Sequence, residues 1–381
     1  MTSKVKLYVS ICDTIESIGR LESEWSALHV HCSRSTIFNS FDFLYLAVQE
    51  FATAGETLLF ITVRHPADNR LVAVFPFKIC PFEWRGLDFK LITYAGLDVT
   101  DKVYPVIENG EEPEAWHAAF SHIKSIREVW HFIDLFEVER GLYAALAVRR
   151  AFLPGRYIRR QSPDIQSPIV DLACDWQSFS GRHPKMRKRI KRMKRQFGAG
   201  FEFKCICDPA AYESCLNQYL MLESRSWRKK TAVGISQSKQ NISFHRRLFE
   251  TLAEKSQLFF GFLYIEGQLV AAEIAYTHDN TVYFTHGCYD ESFKKYSPGM
   301  VSVSLFLKNF FNGQYKDGDF LGGFAHYINP WASHIVLSDR ITVARVTPKV
   351  LLGFVFAVRA KLKLQNLPSF FKKKFLTGNI L

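Results

Sequence analysis

The alternation of apolar and polar residues predicts three consecutive strands, a helix and a short strand in the second half of the chain. Three apolar runs have the length of buried strands and lie at 258–265, 268–277 and 281–288. The polar pairs Glu266-Gly267 and Asp279-Asn280 separate them and favour hairpin turns. A helix is predicted to begin at Ser297-Pro298-Gly299 and to end near residue 312, before a short strand at 319–321. The pattern therefore predicts three antiparallel strands, a helix and a further strand.

The first half of the chain repeats this order of patterns. Helical stripes of apolar residues surround Trp25 and Phe43, and later helices are predicted at 113–126 and 141–150. The predicted strands lie at 58–63, 71–79 and 129–136. Paired strands are thus again followed by a helix and a strand. The shared order indicates an internal duplication, although no residue-level repeat accompanies it.

A polar stretch at 159–167, with Pro163 inside it and Pro168 directly after it, is typical of a linker between domains. A basic helix at 184–197, a strand at 201–207 and a helix from Pro209 to Trp227 are predicted after it. We therefore predict one domain at 1–165 and a second at 166–345. A basic and apolar helix with a tail is predicted to follow at 346–381.

Composition places the protein among globular, intracellular proteins. The chain of 381 residues is 48% hydrophobic and 23% charged, which suits two folded domains. No apolar stretch reaches the roughly 18–20 residues that span a bilayer. Asp13 and Glu16 interrupt the N-terminal apolar patch before a signal peptide could form, so we expect a cytoplasmic protein. The eight cysteines are scattered and indicate neither a disulfide framework nor a zinc site.

The net charge of +12 is concentrated in two segments of the chain. Eight Lys or Arg residues and no acidic residue occur between Lys185 and Arg195. This helix is interpreted as a solvated face or as a docking surface for an anionic substrate, and nucleic-acid readout is disfavoured because no recognised motif accompanies it. Apolar residues 350–358 with flanking lysines suit either contact with an anionic membrane or a last helix packed on the core. Contact with a membrane would place the protein at the periphery of the inner membrane.

Four stretches in the second half carry a family resemblance. They are Phe244-His245-Arg246-Arg247-Leu248, the hairpin at 263–272, Tyr289-Asp290 followed by Ser297-Pro298-Gly299, and Glu223 with Trp227. Together they resemble the GNAT superfamily of acyl-CoA-dependent N-acyltransferases. The order and spacing are most similar to the CelD/BcsL branch, which is associated with cellulose biosynthesis and is related to FemABX-like transferases.

The resemblance implies a fold, a donor and a class of acceptor. The expected fold is α/β (α+β), with two tandem GNAT-like domains, each a mixed, mostly antiparallel sheet flanked by helices; the first domain would be degenerate. The expected cosubstrate is acyl-CoA, with no metal. The expected acceptor is a small molecule or glycan, namely a sugar, a polysaccharide precursor or a related envelope metabolite. The alternatives are a FemABX-like transferase that uses aminoacyl-tRNA and an inactive partner protein.

The Ser-Pro-Gly segment is the predicted donor site. A helix N-terminus offers free N–H groups and the positive end of the helix dipole to a pyrophosphate, although the same tripeptide also suits a plain tight turn. The predicted cofactor-binding residues are Ser297, Gly299, Met300, Val301 and Ser302.

The sequence leaves several catalytic candidates open. Glu273 lies in an apolar strand, where a carboxylate is costly to bury unless it is used or paired. The catalytic candidates are Glu273, Glu223, Tyr289, Asp290 and Tyr327. The substrate-binding candidates are Trp227, His286, His326 and Asp98. Ile328 stands where many relatives have a lysine. The chain thus differs from those relatives in the region that the resemblance implies for binding the acceptor.

Overall fold

A computed structural model describes residues 7–353 except 85, 97–98, 100–101, 231–233 and 323–327. Contacts between residues divide the described chain into two units. Unit 1 runs up to Ile165 and resumes at Leu337, and unit 2 comprises Gln166–Val336. Residues 337–345, which were predicted to close the second domain, thus group with unit 1.

Unit 1 is a layer of strands covered by helices. Its strands are β1 (Tyr8–Cys12), β2 (Thr57–Arg64), β3 (Leu71–Trp84), β4 (Leu87–Tyr94), β5 (Val106–Ile107) and β6 (Phe132–Glu139). Its helices are α1 (Ile15–Gly19), α2 (Glu22–Val30), α3 (Phe41–Phe51), α4 (Glu112–Ser125) and α5 (Tyr143–Ala151). Strands β1 to β4 pair antiparallel in chain order. Helix α4 then carries the chain over to β6, which pairs parallel with β4, as a crossover connection requires.

Unit 2 repeats this arrangement. Strand β7 (Tyr157–Asp171) leads into it, and its other strands are β8 (Phe201–Ile206), β9 (Leu258–Ile265), β10 (Gln268–His278), β11 (Thr281–Tyr289) and β12 (Asp317–Asp319). Its helices are α6 (Trp176–Arg182), α7 (Pro184–Phe197), α8 (Tyr212–Glu223), α9 (Lys239–Glu254) and α10 (Pro298–Lys308). Strands β8 to β11 pair antiparallel in the order β8–β9–β10–β11. Helix α10 then leads to β12, which pairs parallel with β11.

Each crossover strand has a second neighbour from a distant part of the chain. Strand β12 pairs antiparallel with the end of β7. Strand β6 pairs antiparallel with β13 (His334–Arg345). The predicted fold class, a mixed α/β sheet flanked by helices, is confirmed.

Apolar faces of the crossover helices anchor them to the strands. In α10, Val301, Phe306 and Leu307 are fully buried. Phe306 packs edge-on against Phe284 of β11 at 5.8 Å between ring centroids. The first residue of α10 is proline, which suits the start of a helix because the missing N–H would have no partner there.

Several sequence-based element predictions were wrong. The polar stretch at 159–167 is not an irregular linker but part of β7, because alternating polar side chains also suit a strand with one exposed face. Strands β1, β4 and β13 were not predicted, and α10 ends at Lys308 rather than near residue 312. Residues 354–381 lie outside the described residues. Val350 is fully buried in a cluster with Phe89 and Phe132.

In the described part of the chain, no helix is long and apolar enough to cross a membrane.

Candidate functional site

The connection between β11 and α10 forms one side of the candidate site. Asp290 accepts hydrogen bonds from the Ser292 backbone N–H at 2.9 Å and from its hydroxyl at 2.6 Å. Asp290 also lies 3.9 Å from the Arg225 guanidinium. This carboxylate therefore caps the turn that leads to α10, which is a structural contact at the position predicted to be catalytic.

The start of α10 presents two backbone donors. Ser297 has φ 57° and ψ 50°, a left-handed conformation that turns the chain into the helix. The Val301 N–H donates to the Ser297 carbonyl at 3.2 Å, and Pro298 has no N–H. The N–H groups of Gly299 and Met300 are therefore the donors that this helix start offers to a ligand. The exposed side chains of Lys294 and Lys295 lie in the turn just before it.

Gly299 contacts an aromatic ring. A Cβ atom added to Gly299 would lie 3.0 Å from Cδ1 of Tyr289, which is closer than carbon atoms normally approach. Packing against the Tyr289 ring is thus one physical reason for glycine at this position. The predicted roles of Gly299 at a phosphate and of Tyr289 in catalysis stay predictions.

The remaining residues of the predicted donor site face the interior. The Val301 side chain is fully buried in a cluster with Leu263 and Ile265. Ser302 is also fully buried. The helix start therefore brings the backbone of Ser297, Gly299 and Met300 together, whereas the side chains of Val301 and Ser302 lie on the opposite, inner side of the first turn.

Glu273 lies in the middle of the unit 2 sheet, flanked by two glycines. It pairs with Gly261 of β9 and with Gly287 of β11. A Cβ atom on Gly287 would lie 2.2 Å from Oε2 of Glu273. The Glu273 carboxyl therefore occupies the space over Gly287, and only glycine fits beside it.

Burial controls the charge of Glu273. The residue is 5% exposed, and burial raises its carboxyl pKa well above the usual 4.5, against smaller lowering effects of the Ser302 hydroxyl and the Arg228 guanidinium. Burial therefore favours the neutral form of the Glu273 carboxyl.

Two histidines form a chain of hydrogen bonds on the other face of the same sheet. Nδ1 of His245 lies 2.7 Å from the Asn241 carbonyl oxygen, and Nε2 of His245 lies 3.2 Å from Nε2 of His286. A carbonyl only accepts, so Nδ1 of His245 carries the proton and Nε2 accepts from His286. Nδ1 of His286 is then left as a lone-pair acceptor.

The two rings are held neutral. Burial lowers the pKa of His245 to about 4. The pKa of His286 is lowered well below 6.5, first by burial and further by His245 and Arg228. His286 is partly exposed, whereas His245 is buried. His286 is thus the more accessible member of the pair.

Polar groups from α8 and the following turn surround this face. The Arg228 Nε–H donates to the Gly287 carbonyl at 2.9 Å, and the Arg228 guanidinium lies 5.1 Å from the Trp227 ring. Burial raises the pKa of Tyr219 and of the Cys288 thiol well above their usual values. Both side chains are therefore neutral hydrogen-bonding groups.

Glu223 is satisfied by the backbone. Its carboxylate accepts from the N–H of Ser236 at 2.7 Å and of Ile235 at 3.2 Å, and the Tyr219 hydroxyl lies at 3.5 Å. A Cβ atom on Gly234 would lie 2.8 Å from it. Glu223 thus anchors the turn at 234–236, and its predicted role as a base stays a prediction.

The other predicted residues are divided between the site and undescribed parts of the chain. Trp227 is partly buried and lies beside Arg228. Asp98, His326 and Tyr327 lie outside the described residues. Among the described residues, no group of three or more His, Cys, Asp or Glu side chains could hold a metal ion.

Sequence reasoning did not assign a role to Arg228, His245 or Gly287. Gly287 had a usable signal, because a lone glycine inside a strand indicates a close approach by another group. His245 lies in one of the stretches that carry the family resemblance, but its partner His286 and the Gly287 partner of Arg228 are distant in the chain.

Comparison with known proteins identifies the fold of this region. Residues 184–328 match the family model described as "Acetyltransferase (GNAT) domain", and β8 to β12 and α10 lie within the matched stretch. The comparison with curated proteins gives no match.

Solved structures resemble the chain over most of its length. FemX is 9% identical, with a TM-score of 0.58 over 84% of this chain and 95% of FemX. A protein of unknown function from Bacteroides thetaiotaomicron is 14% identical, with a TM-score of 0.51 over 88% of this chain and 100% of that one. The C-terminal domain of a candidate lysylphosphatidylglycerol synthetase from Agrobacterium fabrum is 10% identical, with a TM-score of 0.52 over 90% of this chain and 97% of that one. These likenesses concern the fold.

Proposed function

We propose that unit 2 transfers an acyl group from acyl-CoA to an amine or hydroxyl group of a sugar, a polysaccharide precursor or a related envelope metabolite. The observation that carries the proposal is the start of α10, with two backbone donors and two exposed lysines, inside the stretch that matches the GNAT acetyltransferase model. The class of acceptor rests on the resemblance of the motifs to the CelD/BcsL branch.

The donor would bind by its phosphates at this helix start. The N–H groups of Gly299 and Met300 and the positive end of the helix dipole suit a pyrophosphate. Lys294 and Lys295 add two positive charges that remain in contact with solvent. The thioester of a bound acyl-CoA supplies the acyl carbonyl and a thiolate leaving group.

We propose His286 as the acceptor for the proton of the attacking group. Its Nδ1 has a lone pair because its Nε2–H is donated to His245, whose own tautomer is set by the Asn241 carbonyl. Burial raises the pKa of Glu273 and so favours its neutral carboxyl, which donates a hydrogen bond rather than accepting a proton. A proton could instead reach Glu273 only after the carboxyl had ionised, which burial disfavours.

The alternative donor, aminoacyl-tRNA, has one supporting feature. Helix α7 buries Met186 and Met193, and its basic residues other than Arg189 are exposed. This face attracts any polyanion, but it carries no feature that selects RNA over another one. Acyl-CoA is therefore the donor that we test first.

Calorimetric titration of coenzyme A tests the donor site. Replacing both lysines (Lys294→Gln with Lys295→Gln) is expected to weaken binding about thirtyfold, since each lost contact between a charge and a phosphate costs on the order of 1 kcal/mol and two such contacts are lost. Lys308→Gln is the matched control, because Lys308 is exposed at the opposite end of α10.

Equal affinities of the wild type and the double variant would contradict the phosphate site. Absence of coenzyme A binding by the wild type, combined with binding of aminoacyl-tRNA, would favour the alternative donor. Absence of both would favour an inactive partner protein.

A further inference from the structure

Unit 1 contains a cavity that the proposed function does not use. Its volume is about 340 Å³, which is at the lower end for sites of small molecules. It lies where β4 ends at Tyr94 and β6 ends near Val138, and the starts of α4 and α5 also line it. The carboxyl ends of adjacent parallel strands are the place where open α/β sheets bind ligands.

Aromatic side chains form much of the wall. Tyr94, Tyr104 and Trp116 are buried, and Tyr143 is partly exposed at the first residue of α5. Rings on several sides give a flat-walled, apolar interior with polar edges. Such a wall suits a small organic molecule better than an extended polymer.

Charges of opposite sign line the same cavity. Glu112 lies at the first residue of α4, and Arg34 lies just after α2. Both act on the thiol of Cys32, another lining residue: burial raises its pKa most, Glu112 raises it further and Arg34 lowers it. The cavity is therefore dipolar, with a carboxylate and a guanidinium both close to one buried wall.

Both charged groups keep binding capacity. Glu112 accepts the Gly110 N–H at 3.1 Å, which uses one of the several lone-pair sites of a carboxylate. Nη1 of Arg34 lies 3.2 Å from Glu139, which leaves other N–H donors of the guanidinium. The first turn of α5 has no acidic residue, so its N–H groups and dipole also favour an anionic group.

We propose that this cavity binds a small zwitterion of the amino-acid class. Arg34 and the start of α5 hold its carboxylate, Glu112 holds its ammonium group, and the ring of Trp116 packs against its side chain. The site is separate from the donor site at α10, and it takes its ligand whatever the acceptor of unit 2 is.

Calorimetric titration of the whole protein with the common L-amino acids, each at millimolar concentration, tests the site. The amino acid that binds best is then compared with its amide, which lacks the carboxylate, and with its deaminated acid, which lacks the ammonium group. Each derivative is expected to bind at least about tenfold more weakly, because each loses a charge-assisted hydrogen bond. No binding of any amino acid would overturn the proposal.

Two variants test which charged residue binds the ammonium group of the ligand and which binds its carboxylate. Glu112→Gln is expected to weaken binding of the amino acid at least about tenfold and to leave binding of the deaminated acid unchanged. Arg34→Gln is expected to weaken binding of the amino acid and of the deaminated acid by the same factor. It should leave binding of the amide unchanged.

Matched controls separate binding from folding. Glu111→Gln changes a neighbouring acid that does not line the cavity, and Glu139→Gln removes the partner of Arg34 but keeps the guanidinium. Both are expected to bind the amino acid as the wild type does. Equal losses in Glu112→Gln and Glu111→Gln, or equal weakening of all three ligands by Glu112→Gln, would overturn the assignment.

Discussion

The two units share a crossover but differ in the chemistry at its helix. In unit 1 the chain passes from β4 through α4 to β6, and in unit 2 it passes from β11 through α10 to β12. Helix α4 begins among three acids, Glu111, Glu112 and Glu114, whereas α10 follows two lysines. Acids complement the helix dipole and repel phosphate, and lysines do the opposite. In the two proposals the same topology holds a ligand in each unit, and the residues at the helix start set the charge of the group that binds there.

The inner strands differ as well. In unit 1 the end of β4 is joined to β3 by ring packing, with Phe77 and Tyr94 stacked at 5.3 Å. In unit 2 the corresponding strands carry Glu273 opposite Gly287, and His286 faces the other side. Unit 1 thus fills this part of its sheet with aromatic contacts, whereas unit 2 places polar groups in it at a cost in stability. Each prediction that follows tests one part of this contrast.

The largest effect is expected at Gly287. In Gly287→Ala the new Cβ would lie 2.2 Å from Oε2 of Glu273, and the buried carboxyl has little room to move away. The free energy of unfolding, measured with urea, is expected to fall by about 1–3 kcal/mol.

Two further variants identify the cause. Gly287→Ala combined with Glu273→Ala should recover part of the loss, because the clash is removed. Gly181→Ala is the control, since a Cβ atom there meets nothing within 4 Å. Additive losses in the double variant would show that Glu273 does not fill the space over Gly287.

The fold was more predictable from the sequence than the site was. The hairpins of β9, β10 and β11 were predicted almost to their bounds because short polar turns separate long apolar runs. Strand β7 was missed because its polar residues alternate on an exposed face, and β13 because it carries several charged residues. Local pattern therefore identifies the long apolar runs of β9, β10 and β11, whereas the many polar residues of β7 and β13 do not indicate a strand.

The site depends on contacts between distant parts of the chain. Glu273 was selected because a carboxylate in an apolar strand is unusual, and the structure shows that this carboxyl is buried, while its catalytic role stays a prediction. The pairing of His286 with His245 and the bond from Arg228 to Gly287 join residues 41 and 59 positions apart. No local pattern encodes such contacts. Asp290 and Glu223 carried family motifs, and the structure gives both of them structural partners.

The second prediction concerns the acid stability of unit 2. Because the pKa of His245 is lowered from 6.5 to about 4, the unfolded chain binds a proton in this range and the folded chain does not. Stability from this group is complete above pH 6.5 and is lost as the pH falls towards 4, at up to about 1.4 kcal/mol per pH unit. His245→Phe should therefore show a shallower fall in unfolding free energy over this range.

An exposed histidine serves as the control for this pH profile. His334→Phe changes a histidine at the exposed start of β13 and should keep the wild-type slope. His286 has a lowered pKa too, so His245→Phe should retain part of the acid sensitivity. A slope identical to that of the wild type would mean that His245 is not held neutral by its surroundings.

The smallest expected effect comes from making the start of α10 resemble that of α4. Met300→Glu places an acid in the first turn of α10, the position at which α4 carries Glu114. Coenzyme A affinity, measured by calorimetry, should fall about fivefold to tenfold through repulsion of phosphate, while the acid itself favours the helix dipole by about 0.3–1 kcal/mol. Met300→Gln has the same shape without the charge, so it isolates the electrostatic part from any lost packing of the methionine. Equal affinities of the two variants would mean that the charge at the helix start does not decide which ligand each crossover binds.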